Sequence, residues 1–243
     1  MRQPFLLSSV SRDTARFDAR IIGQSRVLDK GSTIGTGTVY VTWTDCRFRR
    51  ACKTNDIVIA HSLNATGTSW SAISRVPIDA TTSGIDHFIP GLAVNKATSG
   101  AAAQLGLTYY FYPSGSTQLS VGFISSANGG GTWTSPQTIV SGMSSTWAAT
   151  TSQGRMVGDY ISTSYGSDNL AHGIFGSAFT PTSGTSCSSV LDNCNAPIDT
   201  FAPGLALGSA SSASDPVLFG GNGGGNANSL WNVVDNNGSK HRD

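Results

Sequence analysis

The sequence predicts an all-β protein built from repeated units, on three observations: recurring short strand-like runs, no apolar stripe of helical period, and two strings that occur twice. The runs lie at 39–43, 57–61, 105–111, 119–125, 155–163, 172–179, 204–207 and 230–234. Clusters of Gly, Ser, Thr, Asn and Pro separate them, as strand boundaries require. Residues 1–35 carry scattered arginines (Arg2, Arg12, Arg16, Arg20, Arg26) and no readable period, so they are either a tail or a degenerate unit. The repeated domain is therefore placed at 36–243.

The first repeated string is a turn, SANGGGTW at 126–133. Asn at the start of a turn accepts a hydrogen bond from the amide two residues on, so Asn128 is expected to close the loop from inside. Gly129, Gly130 and Gly131 permit conformations that a side chain forbids. Trp133 anchors the exit, and its N–H needs a partner. A looser copy, with one extra residue, is Ser62, Asn64, Gly67 and Trp70, again after a strand-like run; DNNGS at 235–239 is a third without the tryptophan. The second string is DHFIPGLAV at 86–94, which recurs as DTFAPGLAL at 199–207.

Ser126, Asn128, Gly130, Thr132 and Trp133 resemble the Asp-box, SxDxGxTW, of sialidases and other Asp-box β-propellers, with Asn128 where the pattern usually has Asp. The resemblance implies a propeller of four-stranded blades of roughly 40 to 50 residues each. By length the chain then makes about four to five blades, fewer than the family's six, so it is incomplete or has fewer blades. PGLAV and PGLAL become short innermost strands, and functional residues sit on loops around one mouth of the channel.

Composition narrows the partners. The 243 residues carry a net charge of +1, and only 12% are charged, so neither nucleic acid nor an anionic membrane surface is favoured as a partner. No apolar run approaches the roughly 20 residues of a membrane span. The apolar patch in MRQPFLLSSVSRD is too short for a secretory signal, so either a signal was removed or the chain starts inside a longer one. Cys46 with Cys52 and Cys187 with Cys194 form two local pairs that suit disulfides in an oxidising compartment; free or differently paired thiols are the alternative. Sequons at Asn64 and Asn237 agree with export. A secreted protein is expected.

Three clusters carry candidate chemistry. Asp45 directly precedes the Cys46–Cys52 loop, which carries Arg47 and Arg49; a fixed backbone there would pre-organise arginine forks for a carboxylate, or the segment is an arginine-rich surface loop in which Asp45 pairs its neighbour. Asp86 and His87 could serve as acid and base, or form a turn. Tyr109 and Tyr110 alternate along a strand with Phe111 and Tyr112, which sends two tyrosines to the core and one or two to the channel. Arg155, Asp159 and Tyr160 complete that cluster; Arg155 and Asp159, at even spacing on one side of a strand, could instead form a buried pair. The resemblance implies Arg47, Arg49 and Arg155 as carboxylate binders, Asp45 or Asp86 as acid/base, Tyr109, Tyr110 or Tyr160 as nucleophile, and His87 and Asp159 as further substrate contacts. Sialidases are an exception to the two-carboxylate rule and pair their tyrosine with a glutamate. All fourteen acidic residues here are aspartates, and a phenol needs an adjacent base to attack at neutral pH.

Two functions are thus expected: a secreted glycoside hydrolase of exo-sialidase type acting on terminal sugars, or a non-catalytic Asp-box propeller that binds carbohydrate or protein. No cofactor or metal is expected, although Asp56, Asp159 and Asp168 could offer loop oxygens to calcium without forming an EF-hand.

Overall fold

The computed structural model describes residues 25–28, 38–64, 66–152, 154–158, 161–187, 193–207 and 217–218. The third turn copy, Asp159, Tyr160 and Asn237 lie outside them. Three four-stranded antiparallel sheets and one hairpin follow one another along the chain. The first sheet is β1 (Ser25–Leu28), β2 (Val39–Asp45), β3 (Asp56–His61) and β4 (Ser74–Arg75), in that order. The second is β5 (Asp86–Val94), β6 (Leu105–Tyr112), β7 (Gln118–Ser126) and β8 (Gln137–Ser144). A hairpin of β9 (Ala149–Thr151) and β10 (Gly154–Met156) leads to the third, β11 (Ser162–Tyr165), β12 (Ala171–Gly176), β13 (Ile198–Ala202) and β14 (Val217–Leu218). Every sheet is a simple meander, and none closes on itself among the described residues. Helical structure there is limited to three single 3₁₀ turns, at 50–52, 100–102 and 145–147.

The second sheet is the centre of the molecule, because both its faces are covered. Leu105, Leu107 and Tyr109 of β6 pack with Tyr40, Ile57 and Ile59 of the first sheet. Tyr110 and Tyr112 instead join Phe123, Phe175 and Phe201, between the second sheet and the third. A strand buried on both faces reads as a near-continuous apolar run, and β6, LGLTYYFY, does. The close approach of the two sheets is set by small residues. A Cβ on Gly173 would lie 2.5 Å from Thr108 Oγ1, and Thr108 Oγ1 sits 2.7 Å from Thr163 Oγ1.

β5 lies against β1, β2 and β11, so the first strands of the three sheets are neighbours. Its register slips between Phe88 and Gly91, where Ile89 has φ 47° and Pro90 offers no N–H. The string PGLAV thus belongs to the first strand of a sheet. PGLAL does not: it follows β13, a third strand, after the cis Ala202–Pro203 bond, and contributes only the isolated bridge Leu205–Ala171. The expected equivalence of the two strings, and the strand at 204–207, fail here. The expected strand at 155–163 is also split, into β10 and β11, past Gly158 at φ 120°.

Both turn copies join the third strand of a sheet to its fourth. In the second, Asn128 Oδ1 accepts Thr132 N at 2.8 Å and Trp133 Nε1 donates to Gly130 O at 3.1 Å. In the first, Asn64 Oδ1 accepts Thr68 N at 3.0 Å and Trp70 Nε1 donates to Gly67 O at 2.9 Å. The asparagine thus reaches an amide four residues on. The amide two residues on, Gly130 N, is taken by Ser126 Oγ at 2.9 Å.

Candidate functional site

Cys46 and Cys52 are joined, and so are Cys187 and Cys194. The first disulfide closes a loop that turns through two left-handed residues, Ala51 (φ 52°) and Cys52 (φ 53°), and directs Arg49 inward. Arg49 is 5% exposed. Its guanidinium spans Asp56 Oδ1 at 2.5 Å and Asp79 Oδ1 at 2.7 Å and donates to Ala80 O at 3.0 Å. Arg75 Nε lies 2.7 Å from Asp56 Oδ1, and Arg75 Nη2 pairs with Asp79, which also accepts from Ser83. His87, buried, places Nδ1 3.5 Å from Arg49 Nη2 and 3.3 Å from Asn55 O.

The network is electrically closed, with two guanidinium groups against two carboxylates. Burial lowers the pKa of His87 despite the nearby Asp79, so its ring stays neutral. Burial alone would also lower that of Arg49, but hydrogen bonds to Asp56 and Asp79 outweigh it and hold the pKa above the ordinary value. Ligand atoms of Asp56, Asp79 and His87 lie within 4.8 Å of one another, a spacing that could hold a cation. Arg49 and Arg75 already neutralise the charge of both carboxylates, although Asp56 Oδ2 has no hydrogen-bond partner among the described residues, and that neutralisation disfavours a cation. The arrangement can fix loops against each other; it presents no free fork to a substrate.

The other nominated residues are engaged elsewhere. Asp45 accepts from Arg47 Nε at 2.8 Å and from Trp43 Nε1 at 3.2 Å. Those bonds hold its carboxyl below the usual range although burial opposes them. Asp86 Oδ1 accepts Asn55 N at 2.7 Å and Asn55 Nδ2 at 2.9 Å, so it staples the start of β5 to the start of β3. Arg155 Nη1 donates to the carbonyls of Thr146, Ala148 and Cys187, each at 2.9 Å. The three arginines thus belong to three separate sets of partners. Tyr109 and Tyr110 are 2% and 0% exposed, and Tyr110 Oη donates to Gly176 O at 2.7 Å. With Tyr112 also buried, none faces a channel, and burial pushes both phenols up, away from a nucleophilic state. Of the calcium candidates, Asp56 is in the arginine network and Asp168 accepts Leu170 N at 2.9 Å beside His172.

A different feature is open to solvent. Where β5 runs out beside β11, a cleft of about 590 Å³ is lined by Ser162, Ser164, Ser167, Asn169, Tyr165 and Lys96, among others, and no carboxylate faces it among the described residues. Ser162 and Ser164 share one face of β11 by strand alternation.

Sequence reasoning missed Asp79, Arg75 and Ser83, which complete the Arg49 network, and the cleft beside β11. The partners of Arg49 at Asp79 are 30 residues away, with no local pattern to mark them. The cleft had one faint signal, the serine alternation in STSY at 162–165. No helix among the described residues is long and apolar enough to cross a membrane. No protein-family model matches the chain, and comparison with curated proteins finds no match.

Proposed function

We propose that this chain is a non-catalytic, extracytoplasmic binding module for glycans, made of consecutive blades of an Asp-box propeller. The observation that carries the reading is the internal pairing of the nominated machinery: Arg47, Arg49 and Arg155 each satisfy their own protein partners, and Tyr109 and Tyr110 are buried. A hydrolase would need Arg49 to abandon two buried carboxylates, which leaves uncompensated charge in the interior. It would also need a base for the phenol in a chain without glutamate.

The propeller assignment is supported by three successive meanders whose first strands are neighbours, and by two Asp-box-like turns at the same connection of their sheets. Two disulfides favour an oxidising compartment. The ligand class follows from the cleft beside β11, whose lining combines the apolar residues Ala93, Val94 and Ala97 with Ser162, Ser164, Ser167 and Asn169, a mixture that suits a sugar ring with its apolar face and hydroxyl rim. The test is a glycan array read beside hydrolysis of a fluorogenic sialoside. Retention of glycans, lost in Ser164→Arg, with sialoside release at background, is expected. Release above background, or glycan retention unchanged by Ser164→Arg, overturns the reading.

A further inference from the structure

The two disulfides differ in what surrounds them. Cys187 is fully buried at 0% exposure, its N–H donates to Thr146 O at 2.8 Å, and its carbonyl accepts Arg155 Nη1 at 2.9 Å. Cys52 is exposed, and Cys46 is half-buried. Three further features mark the 46–52 loop. Ala51 and Cys52 are held in consecutive left-handed conformations that residues with a Cβ disfavour, and opening the ring lets them relax. The segment CRFRRACK, 46–53, contains four basic residues and no acid. Arg50 and Lys53 among them are exposed and have no carboxylate partner among the described residues, so a thiolate released here is electrostatically favoured. Finally, the loop carries Arg49, whose bonds reach Asp56 at the start of β3, Asp79 and Ala80 in the β4–β5 connection, and His87 in β5.

We propose that Cys46–Cys52 is a redox-active disulfide, open to dithiol reductants, whose reduction releases the Arg49 loop and loosens the junction of the first and second sheets. The thiolate of a dithiol attacks Sγ of the exposed residue Cys52, and the Cys46 sulfur leaves as a thiolate. The second thiol of the reductant then attacks its own sulfur in the mixed disulfide and expels the Cys52 thiolate. The products are two protein thiols, once protonated, and a cyclic disulfide of the reductant, which has lost two electrons. Freed of the ring, the loop gives up its left-handed turn, and Arg49 no longer holds the 79–87 segment against β3.

The test uses the wild-type chain and dithiothreitol. Stepwise reduction, with alkylation and peptide mass spectrometry, should label Cys46 and Cys52 at least about tenfold faster than Cys187 and Cys194, since exposed and strained disulfides are the labile ones. Equal rates, or the reverse order, overturn the redox assignment. Hydrogen exchange of the partly reduced protein should then rise across 79–87 while exchange in β12 stays as in the oxidised protein. Unchanged exchange at 79–87 with Cys46 and Cys52 fully alkylated overturns the coupling. The Cys46→Ser/Cys52→Ser double variant should reproduce the reduced pattern, and the wild-type measurement stands whether or not that variant folds.

Discussion

The turns at 62–70 and 126–133 share a hydrogen-bond scheme and differ in almost everything around it. In both, the asparagine carboxamide accepts the amide four residues on, and the tryptophan indole donates to the carbonyl of a glycine three residues back. Yet Trp70 is 42% exposed, whereas Trp133 packs against the core cluster between the first and second sheets. The two serines also serve different strands. Ser126 Oγ accepts two amides of its own turn, while Ser62 Oγ accepts Val39 N at the entry to β2. The second turn is tied further by Gly129 N, which donates to Ala103 O at 2.8 Å. These short-range bonds are therefore reproduced in both described copies, and the energetic weight of the motif is assigned by its neighbours.

The largest expected contrast is at the tryptophans. Trp133→Ala should cost about 3 kcal/mol by chemical denaturation, because it empties volume against a packed core, and Trp70→Ala less than about 1 kcal/mol. Equal costs would mean that the exposed indole holds its turn as firmly as the packed one, and would break the comparison. The glycines come next. Gly67 (φ 65°) and Gly129 (φ 66°), though at different positions of their turns, share a positive φ, so alanine at either should cost about 1 kcal/mol for the left-handed conformation. A Cβ at Gly67 meets nothing within 4 Å, whereas one at Gly129 lies 3.0 Å from Tyr40 Oη. Gly129→Ala should therefore exceed Gly67→Ala in thermal unfolding, and the excess isolates the Tyr40 contact.

The smallest contrast belongs to the asparagines. Asn64→Ala and Asn128→Ala should each cost about 1 kcal/mol, the net worth of one such hydrogen bond. Aspartate at either position keeps the acceptor for the amide four residues on and should come within about 0.5 kcal/mol of the parent, by the same accounting. A loss with aspartate equal to that with alanine, in melts at neutral pH, would show that the amide nitrogen's bond to Thr68 or Thr132, which both variants lack, outweighs the acceptor.

Much of the architecture was legible because it is written locally. Strand alternation and glycine-rich breaks located β2, β3, β6, β7 and β12 to within a few residues, and the short spacing of the cysteines marked both disulfides. The readings that failed depend on distant residues. Alternation in the YYFY stretch of β6 predicts one side towards a channel, since it says that a strand has two faces but not that both are covered. The repeat between 86–94 and 199–207 predicts structural equivalence. The same residues at 199–207 instead lie in and beyond a third strand, with Phe201 packed against Phe123 and Phe175.

By itself the sequence determined the all-β class, the two turns and the two disulfide loops, because hydrogen bonds between residues four apart and rings closed over six or seven residues need only neighbouring chain. The tertiary structure alone decided which of these features are buried, which charges neutralise one another and where a ligand can enter. Arg49 looked like a substrate fork until Asp79, 30 residues on, was folded against it. Ionic pairing and burial act between groups that meet only when the sheets pack, and spacing along the chain cannot reveal those meetings.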